Sequence, residues 1–272
     1  MNKFTVGYCI HNKEALIPEI MQGIITGFED TDELIFVFDN CTDNSYRLVH
    51  DFGCKAQMIS VKDDLFEIKA NNLILDRASN DIIILFQDDI INKDNQIKQK
   101  IFNVLDSLKK QGKKPGLLGG RSGFELTGST RFPEEPKMRV SNWEHLPEQY
   151  GKLLAPWGFM ERTILNRGPI VFTRDQIRKG NTLDEIFYPL WGDEIDFCCK
   201  QKFIEERTNI VFQCDVISPI EAGSTRCRKI YPTIDGVNMK LSSIMKRNWN
   251  LLMKRWGRDL QKHYGNLTIS IE

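Results

Sequence analysis

The chain has 272 residues, 41% of them hydrophobic, and its 37 basic and 37 acidic side chains cancel. This balance announces no nucleic-acid partner, and no stretch approaches the ~20 apolar residues of a membrane span. The seven cysteines (Cys9, Cys41, Cys54, Cys198, Cys199, Cys214 and Cys227) are odd in number and contain no C-x-x-C pair, which argues against a disulfide framework or zinc site and for a reducing, cytoplasmic setting. The opening segment MNKFTVGYCIHNKEAL lacks the apolar run of a signal peptide.

In chain order, Phe4–Ile10 predicts a strand and Lys13–Ile25 a helix, with Leu16, Ile17, Ile20, Ile24 and Ile25 at helical spacing. Leu34–Phe38 predicts a second strand and Gln57–Val61 a weaker one. Leu65–Ala78 predicts a helix with Leu65, Ile68, Asn72, Leu75 and Ala78 along one side. Ile82–Phe86 is the third strongly apolar run. Asn95–Lys110 follows as a helix carrying Ile97, Ile101, Val104, Leu105 and Leu108, and Pro115–Gly120 as another strand. The apolar runs are nearly continuous, the pattern of strands covered on both faces. Strand alternating with helix predicts an α/β fold, in which ligands sit beyond the C-terminal strand ends. Arg121–Arg167 is rich in Gly, Pro, Glu and Arg, includes Trp143 and Trp157, and shows little periodicity. Asp193–Glu206 predicts a helix, with Cys198 and Cys199 as packing residues. Val237–Arg255 predicts a last amphipathic helix with Val237, Leu241, Ile244, Met245, Leu252 and Trp256 on its apolar side.

Three carboxylate clusters fall at the edges of these elements. In VFDNCTDNS, Val37–Ser45, Asp39 directly follows a strand, where it either meets a ligand or opens a turn that caps the next helix. A haloacid-dehalogenase-like phosphatase would need a second acid shortly after it, and Asn40-Cys41 supplies none. Asp88 and Asp89 end the run NDIIILFQDDI; paired carboxylates ionise together at a cost unless a cation lies between them, and Mg2+ or Mn2+ uses such oxygens with substrate phosphates. The alternative is a solvated loop. In LWGDEIDFCCK, Leu190–Lys200, Asp193, Glu194 and Asp196 crowd a helix start. The helix dipole favours negative charge there, and a carboxylate so placed is also suited to act as a general base.

Taken in order, these segments resemble family 2 glycosyltransferases of GT-A fold. Phe4–Asn12 is similar to the family's opening strand, with His11-Asn12 for its Tyr-Asn-like pair. VFDNCTDNS resembles V-D-D-G-S-T-D-G-S, with Asp39 at the second Asp. ANNLILDRASNDIIILFQDDI resembles A-R-N-x-G-I-x-x-A-x-G-x-Y-I-x-F-L-D-x-D: Asn72 and Ala78 match, Asn71 replaces the Arg with Lys69 close by, and Gln87 replaces the first Asp of D-x-D. RGPIVFTRDQI and LDEIFYPLWGDEIDFCCK resemble the acceptor-side stretch, with Lys200 where the family often has Arg. NWNLLMKRWG, Asn248–Gly257, resembles a C-terminal N-x-x-x-F-x-x-K-W-G signature. The His that the family often carries near Pro219–Thr225 is replaced by Glu221-Ala222-Gly223.

The resemblance implies an α/β, Rossmann-like, mostly parallel sheet flanked by helices, with residues 1–232 as a GT-A catalytic domain and 233–272 as a C-terminal helical extension packed on it. It implies metal-dependent, inverting transfer of one sugar from a nucleotide-diphosphate sugar to a hydroxyl of a carbohydrate, glycolipid or glycoprotein acceptor. Ile10, Asn12, Asp39, Lys69, Asn72, Gln87 and Asp88 are then the expected donor-binding residues. Asp89, helped by Asp88, holds Mn2+ or Mg2+, and Glu194 is the base with Asp193 as the near alternative. Trp157, Arg167 and Trp191 are expected on the acceptor side; for Trp157 and Trp143, packing is the alternative to stacking on a sugar. Basic residues of the last helix either meet an anionic membrane or form a solvated face. A sugar-1-phosphate nucleotidyltransferase would want a Gly-rich loop after the first strand, where His11-Asn12-Lys13-Glu14 stands. A non-catalytic carbohydrate- or nucleotide-sugar-binding protein on the same scaffold is the other alternative.

Overall fold

The computed structural model describes residues 3–120, 123–126, 138–140, 157–165, 168–180, 182–219, 233–234 and 237–264. Its centre is an eight-stranded sheet. The strands are β1 (Phe4–Ile10), β2 (Glu33–Asp39), β3 (Ala56–Val61), β4 (Ile82–Gln87), β6 (Pro115–Gly119), β9 (Phe159–Glu161), β11 (Ile170–Thr173) and β12 (Thr208–Phe212). They lie in the order β3-β2-β1-β4-β11-β6-β12-β9. β1 pairs in parallel with β2 and β4, and β2 with β3. β11 is antiparallel to both β4 and β6, so β6 and its parallel partner β12 point the same way as β4. β9 closes the edge antiparallel to β12. The short strands β5 (Ile91–Asn92), β7 (Gly123–Leu126), β8 (Met138–Val140), β10 (Ile164–Leu165), β13 (Val216–Ile217), β14 (Thr233–Ile234) and β15 (Val237–Asn238) pair outside this sheet.

Successive residues of a strand face opposite ways, and both faces are covered here. Ile83 and Leu85 of β4 meet α3 (Phe66–Arg77), α5 (Asp193–Phe203) and α6 (Leu241–Tyr264). Ile82, Ile84 and Phe86 meet α1 (Ile17–Gly27) and α4 (Ile97–Lys110), with Val49 of α2 (Ser45–Asp51) in the same cluster. This explains the unbroken apolar run. Each such side chain withdrawn from water contributes roughly 1.5–3 kcal/mol. Gly7 of β1 lets α3 settle onto the sheet: a Cβ there would lie 2.4 Å from Ile74 Cγ2.

Three helices differ from their expected bounds by three residues or more at one end or both. α1 starts at Ile17, after a turn closed by Leu16 N–H donating to Lys13 O, and Ile25 is exposed because the stripe Ile17, Ile20, Met21, Ile24 already fills the face. α5 ends at Phe203; Arg207 N–H returns to Gln201 O through Glu206 at φ +53°. The last helix runs Leu241–Tyr264, four residues later than expected, because Val237 is drawn into the β14–β15 hairpin. Its inner face is Ile244, Asn248, Leu252, Trp256 and Leu260, all buried, and Met245 lies off that stripe and is exposed. Leu252, Met253, Trp256 and Leu260 share the core of α3 and α5. Among the described residues, no helix is long and apolar enough to cross a membrane.

Candidate active site

The C-terminal tips of β1, β2 and β4 converge. His11, just past β1, donates its main-chain N–H to Asp88 Oδ2 (3.1 Å), and its Nδ1 lies 2.7 Å from Asp39 O. Lys13 Nζ stands 3.4 Å from Asp88 Oδ1. Burial pushes the Asp88 carboxyl up to about 7; Lys13 works against that shift and the charge of Asp89 adds to it. Asp89 is buried beside it.

Several expected donor-binding groups are held by the protein's own main chain. Asp39 is buried, and its two oxygens accept from Leu65 N–H (2.7 Å) and Phe66 N–H (2.8 Å), tying the β2 tip to the start of α3. Burial raises its pKa and those two bonds pull it back. Asn12, at φ +50°, uses its side-chain oxygen to receive Thr42 N–H at 2.8 Å. The carbonyl of Ile10 accepts from Cys41 Sγ at 3.2 Å. Asn72 is buried and forms a reciprocal pair with the Leu183 peptide, 2.8 and 2.9 Å, which ties α3 to the 182–187 loop. The sequence places the right residue types at these points, yet nothing in a residue's type tells whether its amide or carboxylate turns to ligand or to backbone.

The start of α3 bridges the tips. Glu67 Oε1 accepts from Gln87 Nε2 at 2.8 Å, so the residue in place of an acid is paired with an acid from a neighbouring helix. The Phe66 ring meets Tyr188 edge-on (5.7 Å), Tyr188 OH donates to Asp64 O (3.0 Å), and Lys69 Nζ lies 4.3 Å from the centre of the Tyr188 ring. Lys69 therefore caps an aromatic face, worth ~0.5–1 kcal/mol when exposed. Tyr188 links the start of α3 to the segment that leads into α5, and its place in the stretch LDEIFYPLWG was the only sequence sign of it.

That segment ends in two consecutive left-handed residues, Trp191 (φ +71°) and Gly192 (φ +100°). Trp191 bears strain on the order of 1–3 kcal/mol, which persists only where surroundings impose it. Glycine is required at 192 twice over: an added Cβ would also sit 3.2 Å from Phe187 Cδ1 and 3.3 Å from Leu252 Cδ1. The turn delivers Asp193, Glu194 and Asp196 into the first turn of α5, all three buried. Glu194 Oε2 accepts from Gly192 N–H at 3.3 Å. Asp196 turns to α6, accepting from Trp256 Nε1 (2.7 Å) and an Arg255 guanidinium nitrogen (2.8 Å).

α5 packs on β6, β10 and β12 and leads into β12 through residues 204–207. A helix that feeds a parallel strand begins at that strand's C-terminal end. Because β12 runs parallel to β4, the first turn of α5 lies at the end of the sheet that carries Asp88 and Asp89. Trp191 stands there too, 6.3 Å from Trp249 between ring centres. Trp157, 38% exposed, precedes edge strand β9 and lies 6.0 Å from Lys100 Nζ of α4, on the other face of the sheet. Arg167 and Trp143 lie outside the described residues.

Among the described residues no three His, Cys, Asp or Glu side chains are grouped to hold a metal. The adjacent pair Asp88-Asp89 is the donor set that fits a cation whose shell is completed by phosphate oxygens, since Mg2+ typically takes one or two carboxylates plus substrate phosphates.

A largely parallel sheet flanked on both faces, with its acidic groups at one end, is the architecture of the GT-A glycosyltransferases, and the structure is similar to several of them. One is the mannosyltransferase PcManGT from Pyrobaculum calidifontis in complex with GDP-Man and Mn2+ (13% identity over 78% of this chain and 56% of that one, TM-score 0.53). Others are S. aureus TarS (13%, 99% and 46%, 0.52) and GalNAc-T7 with UDP, GalNAc and Mn2+ (8%, 97% and 58%, 0.60). Residues 5–115 match the family model described as Glycosyl transferase family 2. The chain spans about half the length of the solved relatives named, 46–58%. No curated protein sequence matches it.

Proposed function

We propose that the protein is a glycosyltransferase that moves one sugar from a nucleoside-diphosphate donor to an acceptor hydroxyl on a carbohydrate, glycolipid or glycoprotein, inverting the anomeric carbon. The observation that carries this reading is the common end of the sheet shared by Asp88-Asp89 and the buried first turn of α5. Two of the structural neighbours hold a nucleotide or nucleotide sugar with Mn2+, which supports a donor of that class here.

Asp89, with Asp88 beside it, would hold Mn2+ or Mg2+ at the donor diphosphate, and such an ion supplies neutralisation of the charge on the departing phosphate. Lys13 and the His11 main-chain N–H keep Asp88 in place. Asp39 and Asn12 fix the two loops over which the nucleoside lies, through the bonds to residues 65, 66 and 42. Gln87 and Glu67 present an amide and a carboxylate to the same space. On the acceptor side, the Trp191 face is suited to the C–H side of a pyranose. The Glu194 carboxylate takes the proton of the acceptor hydroxyl as its oxygen bonds to the anomeric carbon. The bond from that carbon to the diphosphate oxygen breaks, and its electron pair leaves on the phosphate. Attack from the side opposite the leaving group inverts the centre. Asp193, one residue earlier, is the alternative base.

The test is a thermal-shift and calorimetric panel of UDP-, GDP- and dTDP-sugars with and without Mn2+, followed by nucleoside diphosphate release. Mn2+-dependent stabilisation by one donor, lost in Asp89→Ala, is the expected result. A protein that binds no donor, with or without Mn2+, would overturn the proposal.

A further inference from the structure

The segment that delivers Glu194 is held from one side by α6. Arg247 donates from its two terminal nitrogens to Tyr188 O (2.9 Å) and Ile186 O (2.8 Å). Asn248 is fully buried, and its Nδ2 lies 2.8, 2.9 and 2.7 Å from the carbonyl oxygens of Phe187, Leu190 and Trp191. Two turns further along the same face, an Arg255 guanidinium nitrogen donates to Asp184 and Asp196, 2.8 Å each, and Trp256 Nε1 donates to Asp196 at 2.7 Å. These contacts bracket Glu194: carbonyls on its N-terminal side, Asp196 on its C-terminal side.

We propose that Arg247, Asn248, Arg255 and Trp256 form a positioning clamp that sets the Trp191-Gly192 turn and the first turn of α5, and so aims Glu194 at the acceptor. This rests on the reading of Glu194 as the base. Buried carbonyls need donors: that of Phe187 finds one in Asn248, which also serves the part-buried carbonyls of Leu190 and Trp191, while Arg247 holds those of Ile186 and Tyr188 nearer the surface. A left-handed Trp followed by a left-handed Gly does not sustain itself. Here the carbonyls on each side of Trp191 Cα are Asn248 acceptors, which fixes that residue's backbone where the strain sits. A general base works only within hydrogen-bond reach of the proton it takes, so the C-terminal helix belongs to the positioning apparatus of the site. The segment 248–257 that resembles a family signature thereby gains a physical task for Asn248, Arg255 and Trp256.

The experiment compares Arg247→Met and Asn248→Ala with Lys246→Met, an exposed neighbour on the same helix. It measures release of nucleoside diphosphate from UDP- and GDP-sugars with Mn2+, with water or octyl glycosides as acceptor, and donor affinity by calorimetry. The clamp variants lose on the order of 10–100-fold in turnover at saturating donor, as expected for a misplaced catalytic group, and keep donor affinity. Added to Glu194→Gln, they cause no further loss, because both act on one step. Lys246→Met is unchanged. Should Asn248→Ala fail to fold, the half-buried Arg247→Met carries the same test. Normal turnover in Arg247→Met and Asn248→Ala alongside an inactive Glu194→Gln overturns the clamp and leaves the base standing. Losses that multiply with Glu194→Gln also overturn it. Full turnover in Glu194→Gln overturns the base assignment itself.

Discussion

Gly192→Ala addresses the turn on which the base depends. Gly192 has φ +100°, and a methyl group there would lie 3.2 Å from Phe187 Cδ1, 3.3 Å from Leu252 Cδ1 and 3.6 Å from Asn248 Cβ. The left-handed backbone alone costs an L-residue roughly 1–2 kcal/mol. Crowding against two buried side chains adds about 1–2 kcal/mol, near the lower part of the overpacking range. The sum, about 2–4 kcal/mol, corresponds to a fall in Tm of roughly 4–16 °C at ~2–4 °C per kcal/mol. Gly112→Ala is the matched control: φ is +69° and nothing lies within 4 Å of the added Cβ, so it bears the backbone term without the crowding. Thermal unfolding and nucleoside diphosphate release measured on both variants separate the two contributions. Gly192→Ala should lose clearly more stability than Gly112→Ala and most of its turnover. Equal stability losses with unchanged turnover in both would refute the claim that α6 packs the turn and the turn sets the base.

Two further outcomes follow from charge. The Asp88 carboxyl, raised to about 7 by burial, keeps below that point a proton that a cation must displace. Mn2+-dependent donor affinity should therefore fall as pH drops through about 7, by up to ~10-fold per pH unit, and Lys13→Met should move the midpoint upward by removing the positive neighbour. Calorimetry across that range checks it, and a flat profile would remove Asp88 from the cation site. Far from the site, the buried Asp32 side chain receives Lys98 Nζ at 2.8 and 3.1 Å together with the N–H groups of Phe4 (2.8 Å) and Glu29 (2.9 Å). Asp32→Ala strips a buried ammonium of its main partner and should cost roughly 3–5 kcal/mol while leaving donor affinity unchanged; denaturant unfolding measures the first and calorimetry the second.

The sheet was readable because its strands are covered on both faces: Phe4–Ile10, Leu34–Phe38 and Ile82–Phe86 had to be apolar at nearly every position. β11 was not, since four residues between a loop and a 3-10 turn carry too little pattern to mark a strand, and none of them says that the strand runs antiparallel between β4 and β6. The places of Asp88-Asp89 at a strand end and of Glu194 at a helix start were legible from position, while the preference for Glu194 over Asp193 as base came only with the resemblance. The contacts of Asp39, Asn12 and Asn72 were not legible, because an Asp or Asn that caps backbone and one that meets a ligand look alike in sequence. Asn248 shows the reverse case. It stands out in a C-terminal segment with no legible task until its contacts with residues 187, 190 and 191 are seen.

The most direct measurement of the central claim is a paired one on Glu194→Gln: Mn2+-dependent donor affinity by calorimetry and turnover to acceptor at saturating donor. Loss of a general base predicts wild-type affinity with turnover reduced by ~100–10,000-fold. Turnover at the wild-type level with the same affinity would contradict the account.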